Sequence, residues 1–365
     1  MSDRQSDKQQ PPSSPLPTPD SRPRTAVRAL LVGCGGISRA WLTAARAVPG
    51  LRIVGLVDLD EGIARTRAAE FGLADVAIGT DLAAMLDRLQ PDAVFDCTVP
   101  TAHPTVTLAA LAHGCHVLGE KPIAPSLDEA RRMVAAAASA GKLYAVIQNR
   151  RYDRNIRRLR AFLASGAIGR ITMVASAFYI GAHFGGFRER MPHVLLVDMA
   201  IHTFDAARLI TGADPRAVYC HEWNPAESWY DQDAAAVAVF ELSDGIVYTY
   251  HGSWCAEGVN TTWEADWRIV GTRGSVTWDG AEGFRAQIAE GRDGIRSAYR
   301  ELELPPPLDD ATFLAGHAGV IGDFVRCIRE GGTPETIGTD NIKSLAMVLG
   351  AVESAERGAR VEIAL

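Results

Sequence analysis

Cysteine is scarce and scattered: six among 365 residues (Cys34, Cys97, Cys115, Cys220, Cys255, Cys327), with no Cys-x-x-Cys pair. That spacing offers neither a zinc knuckle nor a disulfide framework, and no metal site is expected. It fits small core residues in a reducing compartment, so a cytoplasmic location is expected. No apolar run approaches the roughly 20 residues that span a bilayer, so a membrane partner is not expected. Positive charge is in deficit, with 37 Lys and Arg against 44 Asp and Glu and a formal net charge of −7, which argues against nucleic acid as the main partner. Residues 1–24 nearly lack hydrophobic side chains; Pro, Ser, Gln and Asp dominate. Such a tail buries too little apolar surface to offset its ordering entropy, so it is expected to be disordered, and it has no apolar core of a signal peptide.

What is present begins with Leu30-Leu31-Val32-Gly33-Cys34-Gly35-Gly36-Ile37-Ser38, followed by Leu56-Val57-Asp58. An apolar run ends in a glycine-rich turn, a helical stretch follows, and a second apolar run closes on a carboxylate, the order of a dinucleotide-binding βαβ unit. Gly33 permits a sharp turn, and Gly35 lets a pyrophosphate approach backbone amides at a helix N-terminus. Ser38 stands where the third glycine is usual and is small enough for close helix–strand packing. The glycines alone also fit a tight turn without ligand. The flanking strand, helix and strand (26–32, 40–48, 51–57) and the offset of Asp58 favour the nucleotide. Asp58 is placed to hold a ribose hydroxyl; with Asp60 it would repel a 2′-phosphate, so NAD is expected over NADP.

Apolar runs alternate with helical patterns as far as Gln148. Further strands are expected at 76–78, 93–97, 116–118 and 143–147, with helices at 81–89 (Asp81 a cap), 105–113 and 127–140. This alternation implies a doubly wound parallel sheet with ligands at its carboxyl ends. Beyond it, helices are expected at 156–165, 194–210, 318–329 and 342–357, and strands at 171–180, 235–242, 246–253, 263–270 and 275–278, joined by tight turns such as Ser243-Asp244-Gly245 and Gly271-Thr272-Arg273-Gly274. An α+β second domain over residues 149–365, after an α/β domain over 25–148, is the expected organisation.

Two features carry chemistry. Gly119-Glu120-Lys121-Pro122 follows the fifth strand, where a lysine can bond a substrate hydroxyl or stabilise a developing alkoxide; a solvated turn lysine is the other reading. In Asp198-Met199-Ala200-Ile201-His202-Thr203-Phe204-Asp205, at about 100° per residue, Asp198, His202 and Asp205 share a narrow stripe on an otherwise mainly apolar helix. A carboxylate one turn from a histidine can orient the ring and raise its basicity for general-base work; an i,i+4 salt bridge is the alternative.

With these residues the chain resembles the Gfo/Idh/MocA oxidoreductases, named for glucose–fructose oxidoreductase and inositol dehydrogenase. The resemblance runs from about Val27 to the C-terminus. It rests on Gly33 to Ser38, Thr98-Val99-Pro100-Thr101-Ala102-His103, His116 to Pro122, Gln148-Asn149-Arg150-Arg151-Tyr152, Asp198-x-x-x-His202 and Ile321-Gly322-Asp323-Phe324-Val325. It implies an N-terminal Rossmann domain and a C-terminal domain with an open, largely antiparallel sheet used for assembly into a homodimer or homotetramer. It implies Lys121, Asp198 and His202 as the catalytic set. His202 takes the hydroxyl proton, Lys121 polarises the oxygen, Asp198 holds substrate or imidazole, and hydride passes to or from nicotinamide C4. It also implies that Gly36, Ile37, Thr98, Pro100, His103, Glu120 and Lys121 surround the cofactor beside Gly33, Gly35, Ser38 and Asp58.

Asn149 and Arg151 follow the sixth strand and are expected at the substrate's edge with Lys121, Asp198 and His202. The basic run Arg150, Arg151, Arg154, Arg157, Arg158 and Arg160 reads first as a solvated helix, and only second as an anion site. Among Trp223, Trp229, Trp254, Trp263 and Trp267, sheet packing is expected, with one or two lining a sugar pocket. His183 and His193 are weaker substrate-contact candidates. The expected activity is NAD-dependent hydride transfer at a secondary alcohol of a sugar, inositol or related polyol. The alternatives are an NADPH-dependent keto-sugar reductase and a non-catalytic nucleotide sensor.

Overall fold

The computed structural model describes residues 26–293, 295–306 and 313–365; the tail at 1–24 lies outside these. Six strands form the first sheet: β1 (Val27–Val32), β2 (Leu51–Val57), β3 (Ala77–Gly79), β4 (Ala93–Asp96), β5 (His116–Gly119) and β6 (Tyr144–Val146). Their order is β3-β2-β1-β4-β5-β6 and every pairing is parallel. Five helices lie between them: α1 (Ser38–Arg46), α2 (Glu61–Glu70), α3 (Leu82–Leu89), α4 (His103–Ala112) and α5 (Leu127–Ala140). Local chemistry marks their ends. Asp81 caps α3 by accepting from Ala84 N, Ser126 caps α5 by accepting from Glu129 N, and Gly141 closes α5 at φ 61°. Strand order reverses between β1 and β4, which opens a crevice at their carboxyl ends. Helix α2 is absent from the sequence expectation. Its run Glu61-Gly-Ile-Ala-Arg-Thr-Arg-Ala-Ala-Glu70 lacks an apolar stripe, and it is started by the Asp60 cap, which accepts from Gly62 N and Ile63 N.

The second sheet has nine strands in the order β14-β13-β12-β11-β7-β10-β9-β8-β15. They are β7 (Ile171–Tyr179), β8 (Pro215–Trp223), β9 (Ala235–Leu242), β10 (Val247–Ser253), β11 (Asp266–Gly271), β12 (Gly274–Trp278), β13 (Phe284–Asp293), β14 (Arg296–Leu302) and β15 (Val361–Glu362). Only β7 and β10 pair in parallel; the other pairings are antiparallel. Helices α6 (Arg154–Ala164), α7 (Ile201–Thr211) and α9 (Gly338–Arg357) cover one face. There Phe204 meets Phe240, Tyr248 and Tyr250 edge-on at 4.8, 6.1 and 5.2 Å.

Strand β6 ends at Val146, yet the first core continues into the C-terminal segment. Helix α8 (Gly316–Glu330) buries Val320, Ile321, Phe324 and Val325 with Trp41 and Phe95. Burying each large apolar side chain contributes about 1.5–3 kcal/mol, enough to fix α8 against the nucleotide-side sheet. Val146 N then donates to Thr336 O at 3.1 Å, and Ala145 pairs with Ile337, so the chain beyond α8 lines the edge of β6.

The stretch expected as one helix from Val194 to Ile210 is two: a π-helical segment at Leu195–Ala200, then α7. The wider turn changes the angular relation assumed for Asp198 and His202.

Candidate active site

At the carboxyl end of β1, Gly33 adopts φ 88°, and a Cβ there would lie 2.7 Å from Cys97 O. Only glycine fits this turn. Above Gly35 and Gly36 a Cβ would meet nothing within 4 Å, so their backbone faces open space. The amides of Gly35, Gly36 and Ile37 have no protein acceptor among the described residues, which leaves donors for an anion. Ser38 is fully buried, and its hydroxyl donates to Gly35 O at 2.7 Å, so the missing third glycine is replaced by a brace. Asp58 accepts from Cys34 N at 2.7 Å and Asp60 N at 3.0 Å, holding the turn against the end of β2.

Arg67 carries no local signature in the sequence. Its buried guanidinium lies under the turn and donates to Cys34 O (3.2 and 3.1 Å) and Gly35 O (3.0 Å), while Glu70 pairs with it. It serves the loop's carbonyls and is unavailable to a phosphate. The carbonyls it serves lie more than thirty positions away, beyond the reach of any local pattern.

Two loops at the switch point are tied together by His103. That ring, 1 % exposed, has Nδ1 3.0 Å from Pro122 O and Nε2 3.1 Å from Thr98 O. Both ring nitrogens of His103, expected beside the nicotinamide, thus face carbonyls of the two loops. Glu120 is likewise turned inward. It accepts from Trp41 Nε1 of α1 at 2.7 Å and from Lys121 N at 3.1 Å, which anchors the Glu-Lys-Pro loop to the nucleotide-side helix. Thr98 bonds Asp96 through both its amide and hydroxyl (3.1 and 2.6 Å), while Val99 and Ile37 stay exposed at the crevice mouth beside half-buried Pro100.

Lys121, which precedes a cis peptide to Pro122, reaches across the crevice. Its Nζ donates to Asp198 O at 2.7 Å and Oδ1 at 3.1 Å. Arg188 Nε donates to Asp198 Oδ2 at 2.9 Å. Burial pushes the Asp198 carboxyl up, but Lys121 and Arg188 outweigh it and hold the group below its ordinary range.

His202 is half-buried, and its Nδ1 is buried without a hydrogen-bond partner among the described residues. The expected Asp198 support is corrected here: Asp198 faces Lys121 and Arg188, not the imidazole. Burial first, then the charges of Lys121, Arg150 and His317, pushes the His202 pKa well below its ordinary value. The ring is therefore neutral at neutral pH, the state a general base requires. Oxidation is expected to show no acid limb through neutrality, with kcat/KM falling only well below pH 6.5; a limb at or above pH 6.5 in a rate profile would contradict this placement.

Asn149 joins the site through its Nδ2, 3.4 Å from Nδ1 of His317 near the start of α8. His317 is a second imidazole that sequence reading missed; it is depressed by burial against the opposing influence of Glu120.

Arg151, expected at the substrate's edge, is withdrawn. Its guanidinium bonds both oxygens of Asp205 at 2.7 and 2.6 Å, Asp340 at 2.7 Å and Glu335 O at 3.0 Å. Every donor faces the protein, so it clamps the end of β6 to α7 and α9. Arg150 is equally unlike a solvated helix residue: it is buried, paired with Glu264 at 3.2 Å, and bonds Trp263 O. His183 stacks on Trp229 and pairs with Glu257, while His193 is bound to Glu222 at 2.6 Å. Among the described residues, no group of His, Cys, Asp and Glu is arranged to hold a metal ion. No helix among them is long and apolar enough to cross a membrane.

A Rossmann crevice whose Lys121 meets Asp198, beside His202, from an open-sheet domain defines a nucleotide-linked oxidoreductase. The chain belongs to the Gfo/Idh/MocA family: residues 27–148 match its oxidoreductase NAD-binding Rossmann domain, and residues 156–277 match its C-terminal domain. It is 32 % identical over 91 % of its length, and 88 % of the relative's, to the D-apiose dehydrogenase of Paraburkholderia graminis. It is 27 % identical to the 1,5-anhydro-D-fructose reductase of Ensifer adhaerens, covering 91 % and 97 % of the two chains. Its fold matches a crystal structure of an oxidoreductase from Agrobacterium radiobacter in complex with NAD+, L-tartaric acid and magnesium, with TM-score 0.81, 25 % identity, and coverage of 93 % and 99 %.

Proposed function

We propose that this oxidoreductase transfers hydride between NAD and a secondary alcohol of a sugar, inositol or related polyol. The observation that carries the reading is Lys121 meeting Asp198 at 3.1 Å beside a neutral, half-buried His202, at the carboxyl edge of the nucleotide sheet. The residues fit the cofactor: open space above Gly35 and Gly36, unbonded amides at the start of α1, and a carboxylate at Asp58. NAD, when bound, accepts or returns the hydride.

The protein's own groups do the rest. Gly35, Gly36 and Ile37 hold the pyrophosphate, and Asp58 the ribose. Lys121 Nζ donates to the reacting oxygen and stabilises its developing charge. His202 takes the hydroxyl proton on oxidation and gives it back on reduction. Asp198 fixes the lysine and bonds the substrate. Dehydrogenase and reductase relatives that act on sugars and polyols, among them D-apiose dehydrogenase and inositol 2-dehydrogenases, support this class of substrate.

NAD is favoured over NADP because Asp58 would face a 2′-phosphate, Arg67 is committed beneath the turn, and exposed Arg39 is paired with Glu70 at 2.8 Å. Titration of the pure protein with both cofactors should show NAD binding at least tenfold tighter, and NADH should appear with members of a sugar and inositol panel. Tighter NADPH binding with reduction of keto-sugars would favour the reductase; NAD binding without turnover would favour a sensor.

The open face of the second sheet carries Tyr219 opposite Val239 and Val247 opposite Met173, all exposed, with Val237 beside them. We propose that it joins copies of this chain into a dimer or tetramer; a monomer at micromolar concentration in sedimentation would contradict this.

A further inference from the structure

Two cations share one carboxylate in the site. Lys121 and Arg188 both bond Asp198, which leaves the trio with a net charge of +1 facing a neutral His202. Glu120 is turned away to Trp41 and its own loop, and the Arg150 charge is matched by Glu264.

Arg188 is set for more than pairing. Only its Nε reaches Asp198; neither Nη group hydrogen-bonds an acceptor among the described residues. Its guanidinium is flanked by the rings of Phe184 and Phe187 at 5.1 and 5.0 Å, and its side chain is 36 % exposed. Stacking of this kind orients the planar fork while leaving its edge open. The loop behind it is pinned. Gly185 N donates to Glu189 Oε1 at 2.8 Å, Ala182 N to Trp254 O at 3.1 Å, and Trp229 Nε1 and Tyr230 OH to Ala182 O.

The same wall holds a second orphaned donor. Trp254 is 1 % exposed, meets Phe184 edge-on at 5.2 Å, and its indole Nε1 has no acceptor among the described residues. Trp263 continues the wall at 5.8 Å and is half open to solvent.

We propose that the substrate is an acidic sugar or polyhydroxy acid whose carboxylate is received by the two Nη groups of Arg188, while Trp263, backed by buried Trp254, flanks its ring. The proposal rests on the sugar-oxidising reading of the site and deepens it. Two planar carboxylate oxygens match two Nη donors, and one negative charge cancels the surplus beside Asp198. A phosphate would add a second charge next to that carboxylate.

Tryptophan fluorescence of the NAD-loaded protein gives a binding readout that does not depend on turnover. Titrations with D-glucuronate, D-glucose and D-glucose 6-phosphate should rank glucuronate first, by roughly 10- to 100-fold over glucose, as expected of a charge-assisted pair of bonds. In Arg188→Gln that ratio should fall to near one, and Arg188→Lys should restore only part of it. An unchanged ratio in Arg188→Gln, with all affinities reduced together, would make Arg188 a positioning residue for Asp198 and overturn the proposal. Equal binding of acid and neutral sugar, or preference for the phosphate, would overturn it while leaving the sugar-oxidising reading intact. Failure of every sugar to bind would overturn both.

Discussion

Replacing Lys121 by Ala should lower kcat by roughly 10²–10⁴ while NAD still binds with near-wild-type affinity. The lysine is the one cation that both reaches Asp198 and stands on the Glu-Lys-Pro loop at the end of β5, so no neighbour replaces its donation to the reacting oxygen. Arg188 remains to pair Asp198, which keeps the carboxylate ionised in the variant. The glycine turn is braced by Ser38, Asp58 and Arg67, and none of them contacts Lys121, so cofactor affinity is independent of the change. Steady-state rates beside a cofactor titration check both halves. Full activity in the variant would remove Lys121 from the chemistry.

Asp205→Ala should be the most destabilising change behind the site. Asp205 accepts both Arg151 bonds and one from the Ser344 hydroxyl, and its side chain is 2 % exposed. Removal leaves Arg151 with Asp340 as its one carboxylate among the described residues, and that carboxylate is shared with Arg208. Breaking a buried pair costs about 3–5 kcal/mol, because a desolvated charge loses its partner. For domains of this size that corresponds to a fall of roughly 6–20 °C in Tm. Asp340 is itself held at about 2, where burial that would raise it is outweighed by Arg151 and Arg208. Its contribution to stability is therefore complete above the ordinary carboxylate range and is lost as pH falls toward 2. An unchanged melting temperature in Asp205→Ala would show that the clamp between β6, α7 and α9 is dispensable.

Much of the first domain was legible because its signals are local. Strand and helix alternate in hydrophobic period, the Gly33 turn needs a left-handed residue, and Asp81 announces its helix. The second sheet was read less completely. The hairpin of β13 and β14 lies at its edge, with Arg285, Gln287 and Glu301 on one face and Arg300 with Glu290 along it; the apolar alternation of Phe284, Ala286 and Ile288 is short and β14 does not continue it. In the site, residue types were legible and partners were not. Asp198 was read as the support of His202 because an ideal α-helix places them one turn apart; the π-helical segment and Lys121, 77 positions earlier, give it another partner. Arg151 looked like a site residue because it follows a strand, and only Asp205 and Asp340, brought in by α7 and α9, show that it faces inward. Arg188 and His317 lie in segments with no motif, and tertiary packing alone brings them to the crevice.

The central claim is hydride transfer from a sugar carbon to NAD in this crevice. It is tested most directly by incubating the wild-type protein with NAD and sugars, sugar acids or inositols carrying deuterium on every carbon, then weighing the reduced cofactor. The account predicts reduced NAD that has gained one deuterium from the substrate carbon, and roughly 10²–10⁴ times less of it formed by Lys121→Ala in the same time. Reduced cofactor without the label, or bound NAD that is never reduced, would contradict it.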